Sequence, residues 1–131
     1  MKSRYHVDAD ITTASTLEGA FYHDTATYER SRESVFARSW QWIGDLSDVA
    51  APQSMSPRNL LPGMLDEALL LTRDRENKLR CLSNVCTHRG NLLVKAACQA
   101  DQIRCGYHSR RFDLSGRMTF MPEFKDAKNF P

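Results

Sequence analysis

Long apolar runs are what this 131-residue chain most lacks. Its purely aliphatic stretches, such as Ala68–Leu71, fall far short of the roughly 20 residues that a membrane-spanning helix needs. The opening Met1-Lys2-Ser3-Arg4-Tyr5-His6-Val7-Asp8 has no apolar core and does not read as a secretory signal. The expectation is a soluble, cytoplasmic protein with no membrane partner. An excess of one charge is missing too: 18 basic and 16 acidic residues leave a formal net charge of +2. Such near-balance gives no electrostatic reason to expect nucleic acid as a partner. Internal repeats and low-complexity tracts are absent. With 41% hydrophobic and 26% charged residues, the chain has the make-up of a folded globule. Its length is that of one domain, residues 1–131.

Cysteine and histidine are scarce, four of each, yet three of the cysteines and two of the histidines fall between Cys86 and His108. That stretch opens with Cys86-Thr87-His88-Arg89-Gly90 and closes with Cys105-Gly106-Tyr107-His108, sixteen residues separating His88 from Cys105. Each end offers one thiolate and one imidazole. Two thiolates on one iron and two imidazoles on the other are what a Rieske-type [2Fe–2S] cluster requires. The same four donors also satisfy a structural Zn2+, which leaves a zinc-stabilised binding module without a redox role as an alternative. Zinc fingers, however, usually pair Cys with Cys and His with His, and here the order is mixed. Of the other cysteines, Cys81 lies in the strand-like Leu79-Arg80-Cys81-Leu82 and reads as a small buried hydrophobe. Cys98 has no assigned role, and a reducing compartment disfavours a Cys81–Cys98 disulfide.

On these two loops the chain resembles the Rieske domain in the N-terminal part of ring-hydroxylating oxygenase large subunits. The resemblance extends upstream to Phe36-Ala37-Arg38-Ser39-Trp40-Gln41 and Cys81-Leu82-Ser83-Asn84-Val85-Cys86, and downstream to Phe112-Asp113-Leu114-Ser115-Gly116-Arg117. It runs from about Leu17 to the end. It implies that Cys86 and Cys105 hold the inner iron of a [2Fe–2S] cluster, and His88 and His108 the outer one. The family most often continues the second loop as His-Gly-Trp, whereas this chain has His108-Ser109-Arg110, then Arg111. A small Ser109 keeps the backbone close to the cluster and can offer a hydrogen bond to sulfur or backbone. Tyr107 is expected to pack over the cluster and to donate to a thiolate. Arg110 or Arg111, if close, would favour the reduced form; otherwise each is a solvated surface charge. Respiratory Rieske proteins commonly tie their loops with an extra disulfide, but Asn91 and Tyr107 stand at those positions here. That points to the oxygenase-like or ferredoxin-like type.

The rest of the chain reads as mainly β: a Rieske-type sandwich or barrel of short antiparallel strands with two cluster-binding loops and one N-terminal helix. Residues 1–15 form an arm, 24–40 a helix capped by Asp24, and 41–131 the β domain with loops 86–90 and 105–109. Tyr28, Val35, Phe36 and Trp40 would be the helix's buried stripe, and Trp40 and Trp42 core residues. Residues 44–63 carry Pro52, Pro57 and Pro62 and read as a loop, with one short strand at Asn59-Leu60-Leu61 at most. Strands are expected at Glu67–Thr72 and Leu79–Ser83, joined by a turn at Asp74–Asn77, and then at Gln102–Arg104. Arg111–Asp113 and Arg117–Phe120 form a hairpin around Gly116, and 121–131 a loop.

The resemblance implies one-electron transfer from a reductase or ferredoxin to a second redox centre, a mononuclear iron oxygenase domain in that family. One alternative is that the chain is the N-terminal fragment of a complete oxygenase whose iron domain lies beyond residue 131. These 131 residues do not make an oxygenase by themselves. Oxygen-activating iron takes two histidines and a carboxylate, and only His6 and His23 remain.

Overall fold

The computed structural model describes residues 5–124 and 126–128. It divides into two compact units, 1–41 and 42–131. The expectations for residues 1–4, 125 and 129–131 lie outside the described residues.

In the first unit, α1 spans Gly19–His23 and α2 spans Thr25–Ser34. Asp24 caps α2 as expected, its carboxylate accepting from the Thr27 amide at 3.0 Å. The helix expected over 24–40 is shorter: Val35 ends α2, and Phe36–Arg38 form a 3-10 turn. The stripe is not buried either. Tyr28, Val35, Phe36 and Trp40 are all exposed, Trp40 fully, because α2, whose ten residues are Thr, Ser, Glu and Arg apart from Ala26 and Tyr28, carries too narrow an apolar face to bury. The anchor of the arm is instead Tyr5, buried edge-on against Phe21 with ring centroids 5.2 Å apart.

The second unit is β throughout, with a 3-10 turn at Leu46–Val49 capped by Asp45. The first sheet contains β1 (Ser54–Leu60), β2 (Glu67–Arg73), β3 (Leu79–Ser83) and β4 (Cys98–Gln99), in the order β3-β2-β1-β4. The second contains β5 (Ile103–Arg104), β6 (Arg111–Phe112) and β7 (Met118–Phe120), in that order. Every pairing is antiparallel. Sheet and hairpins therefore match the expected class. The correction is β1, which runs through Pro57 where a loop was expected. β4 pairs only Ser54 and Met55, so from Ser56 onward one side of β1 is an open edge, the setting in which a strand tolerates proline.

Met55, Leu70, Val94, Ile103, Phe112 and Leu114 form the core together with Cys86 and Cys105. Thr72 on β2, fully buried, donates its hydroxyl to the Leu114 carbonyl at 2.8 Å and ties the sheets together. The β6–β7 turn is closed by Asp113, whose carboxylate accepts from the Ser115 and Arg117 amides, while Gly116 takes φ +86°. Two further expectations fail. Trp42 is exposed. Cys81 faces outward on the edge strand β3 and, like Cys98, is an exposed free thiol. Alternation along a strand with one open side sets every second side chain outward, whatever its polarity.

Candidate metal centre

Two loops leave the sheets on the same plan. In the first, the Cys86 amide donates to the Asn91 carbonyl at 2.8 Å, and the Gly90 amide returns to the Cys86 carbonyl at 3.0 Å. In the second, the Cys105 amide donates to the Arg110 carbonyl at 2.9 Å, and the Ser109 amide returns to the Cys105 carbonyl at 3.1 Å. Closing so short a circuit turns the fifth residue left-handed: Gly90 has φ +68° and Ser109 φ +59°. Only the first of these is a glycine, so the family's usual glycine at 109 is explained by the backbone and its absence here carries strain. The Ser109 hydroxyl accepts from Arg104 Nη2 at 3.0 Å.

Asn84 holds the base of the first loop, and sequence reasoning missed it. Only 1% exposed, it donates from Nδ2 to the Val94 carbonyl at 2.8 Å and accepts the Val94 amide on Oδ1 at 2.9 Å. Its backbone carbonyl takes the Leu93 amide, and its own amide donates to the Ala68 carbonyl. The available signal was a lone Asn at the end of an apolar strand, where a side-chain amide commonly substitutes for a missing ladder.

These loops bring the four candidate donors together in two pairs. Cys86 and Cys105 are each 2% exposed and sit in the core. The rings of His88 and His108 meet edge-to-face with centroids 4.8 Å apart. Burial pushes the Cys105 thiol up, but the amides of Tyr107 and His108, the Cys86 thiol and the Asn91 amide outweigh it, leaving the thiol below its ordinary 9.0. Two of those bonds run from Tyr107 N–H to Cys105 Sγ at 3.5 Å and from Asn91 Nδ2 to the same sulfur at 3.7 Å. Desolvation, with the charges of His108, Arg110 and Arg89, holds His88 below 6.5, which favours the neutral, metal-binding imidazole. His108 Nδ1 is buried and makes no hydrogen bond.

Tyr107 reaches the sulfur through its amide, whereas its ring, 59% exposed, lies 3.8 Å from the His108 ring centroid. Arg110 is buried beside the first loop; Arg111 belongs to β6 and covers the Phe120 ring at 5.0 Å. Among the described residues, no three His, Cys, Asp or Glu side chains gather as they would around one ion.

The model of the Rieske [2Fe–2S] domain matches residues 39–131. The chain belongs to the Rieske [2Fe–2S] family. Its cofactor is accordingly a Rieske-type [2Fe–2S] cluster, which sets aside the zinc alternative. The chain is 32% identical over 123 residues to the carnitine monooxygenase oxygenase subunit of Escherichia coli K12, a match over 93% of this chain and 32% of that protein. It is 29% identical to the biphenyl dioxygenase alpha subunit of Metapseudomonas furukawaii, over 85% of this chain and 24% of the relative. Among solved structures, the apo form of a quaternary ammonium Rieske monooxygenase superposes with a TM-score of 0.75 at 28% identity, covering 86% of this chain and 32% of that one. Naphthalene 1,2-dioxygenase with indole bound gives 0.65 at 28%, covering 76% and 22%. The chain thus spans about a third of the length of the first of these Rieske relatives. No helix among the described residues is long and apolar enough to cross a membrane.

Proposed function

We propose that Cys86 and Cys105 bind one iron of the cluster and His88 and His108 the other. On this reading the chain passes single electrons from a reductase or ferredoxin to the mononuclear iron of an oxygenase. The observation that carries it is the pairing: two buried thiols on the core side, two facing imidazoles on the other. The buried, unpartnered Nδ1 of His108 is a nitrogen free to ligate. When bound, the cluster supplies a one-electron redox couple. The protein's part is to deliver the thiol of Cys105 ready to deprotonate, keep His88 neutral, and present both imidazoles toward the surface. The exposed Tyr107 ring stacked on His108 extends that port outward.

His6 and His23 are both exposed, and neither joins a third donor among the described residues. Oxygen activation is therefore assigned to the acceptor. Relatives named for carnitine and for biphenyl match largely the same stretch of this chain, so substrate choice is assigned to the acceptor as well. Exposed free thiols at Cys81 and Cys98 support a reducing compartment, the cytoplasm.

Anaerobically purified protein should contain about two irons and two acid-labile sulfides per chain, and lose them when any of the four donors becomes Ala. Without an inter-loop disulfide, the potential should lie in the lower half of the Rieske range of about −150 to +300 mV. A colourless protein with one tightly bound zinc would refute the proposal.

A further inference from the structure

Among the described buried residues, Arg110 alone carries a formal charge, and it is only 8% exposed. Burying a guanidinium is costly unless its donors are used and its charge serves some purpose. The donors are used. Arg110 Nη1 donates to Thr87 Oγ1 at 2.6 Å, and Nε lies 2.9 Å from Met121 Sδ. Thr87 stands between Cys86 and His88, so the side chain grips the first loop at its centre. The main-chain carbonyl of the same residue accepts the Cys105 amide at 2.9 Å and closes the second loop. One residue therefore joins both donor loops, where Asn91 and Tyr107 preclude a disulfide.

We infer that Arg110 is a positioning residue with two separable roles, a non-covalent strap between the loops and a fixed positive charge that favours the reduced cluster. The inference rests on the proposed function. One-electron reduction adds one negative charge to the site, and a cation held in a low-dielectric surround favours that form more than a solvated one would. The planar fork of arginine spans Thr87 and Met121 together; lysine would keep the charge and lose the span.

Three variants of the full chain separate the roles: Thr87→Val, Arg110→Lys and Arg110→Gln. Cluster loss to an iron chelator reads the strap, and optical redox titration reads the charge. Thr87→Val and Arg110→Lys should each release iron about tenfold faster than the parent, while the reduced-to-oxidised ratio at the parent's midpoint stays within about twofold. Arg110→Gln should lower that ratio about tenfold, equivalent to 59 mV for one electron. Parental release rates in both Thr87→Val and Arg110→Lys would overturn the strap. A parental ratio in Arg110→Gln would overturn the charge role. If Arg110→Gln holds no cluster, the smaller Arg110→Ala is titrated in its place: a tenfold fall supports the charge role, and a parental ratio refutes it. A parent chain without [2Fe–2S] would refute the proposed function itself, and this inference with it.

Discussion

Replacing Asn84 with Ala should be among the most damaging single changes in the β unit, although Asn84 is not a candidate ligand. The substitution removes one side chain and leaves two buried backbone groups, the Val94 amide and the Val94 carbonyl, without partners. Val94 is itself in the core, and the site is too enclosed for solvent to replace the lost bonds readily. Each buried polar group left unpaired costs about 1–3 kcal/mol, so the pair together cost roughly 2–6 kcal/mol. Against a typical domain stability of about 5–15 kcal/mol, that is a large share. In a unit of this size, even the lower bound should depress the melting temperature by about 8–16 °C. Asn84→Asp keeps the acceptor for the Val94 amide but sets a carboxylate oxygen against the carbonyl, so it should fall at least as far near neutral pH and recover partly in mild acid. Melting followed by circular dichroism, alongside cluster absorbance during the same ramp, checks both. If Asn84→Ala melts within about 3 °C of the parent and retains its cluster, the side-chain bracket is not what holds the first loop.

Ser109→Gly should stabilise the second loop by about 0.5–1 kcal/mol, since relief of a left-handed non-glycine residue, worth about 1–2 kcal/mol, exceeds the loss of an exposed bond from Arg104; denaturant titration reads the gain. Thr72→Val should cost about 1–3 kcal/mol by stranding the buried Leu114 carbonyl, with m unchanged if the sheets stay together. Acid should weaken the β6–β7 turn. Burial raises the Asp113 carboxyl, but bonds from the Ser115 hydroxyl and the Arg117 and Ser115 amides hold it below its ordinary 3.8. A carboxyl depressed in the folded state stabilises above that value, and its contribution fades as pH falls below 3.8 and through the lower folded value. Asp113→Asn should therefore flatten the decline of stability with pH below about 4 in a series of thermal melts.

The family and its cofactor were legible because metal chemistry restricts residue type and spacing together, and two loop motifs agree here. The strands Glu67–Arg73 and Leu79–Ser83 were legible because aliphatic residues run between clear turn residues. β1 was hidden by Pro57, whose effect depends on whether the neighbouring edge is occupied, a fact of topology. The aromatic residues after Tyr28 share a helical period, but the period says nothing about whether a surface exists to receive them. Cys81 misled for a related reason: apolar character does not reveal which face of an edge strand is covered. Arg110 and Arg111 were indistinguishable in sequence. A closed loop ending at one and a strand beginning at the other send neighbouring arginines to different surroundings.

Each donor loop is locked by bonds to itself and to its own base. Cys86 and Gly90 close one circuit, Cys105 and Ser109 the other, and Asn84 fastens the first at Leu93 and Val94. The exposed residues Lys95, Ala96 and Ala97 lie outside all of these bonds. Spacing between the two motifs is therefore a matter of tethering, not of ligand placement. Lengthening the tether costs only chain entropy, about 0.6 kcal/mol for each doubling. Lineages descended from such a chain are free to vary that segment, and a protein engineer can graft a recognition peptide or an affinity handle into it while the donors keep their positions.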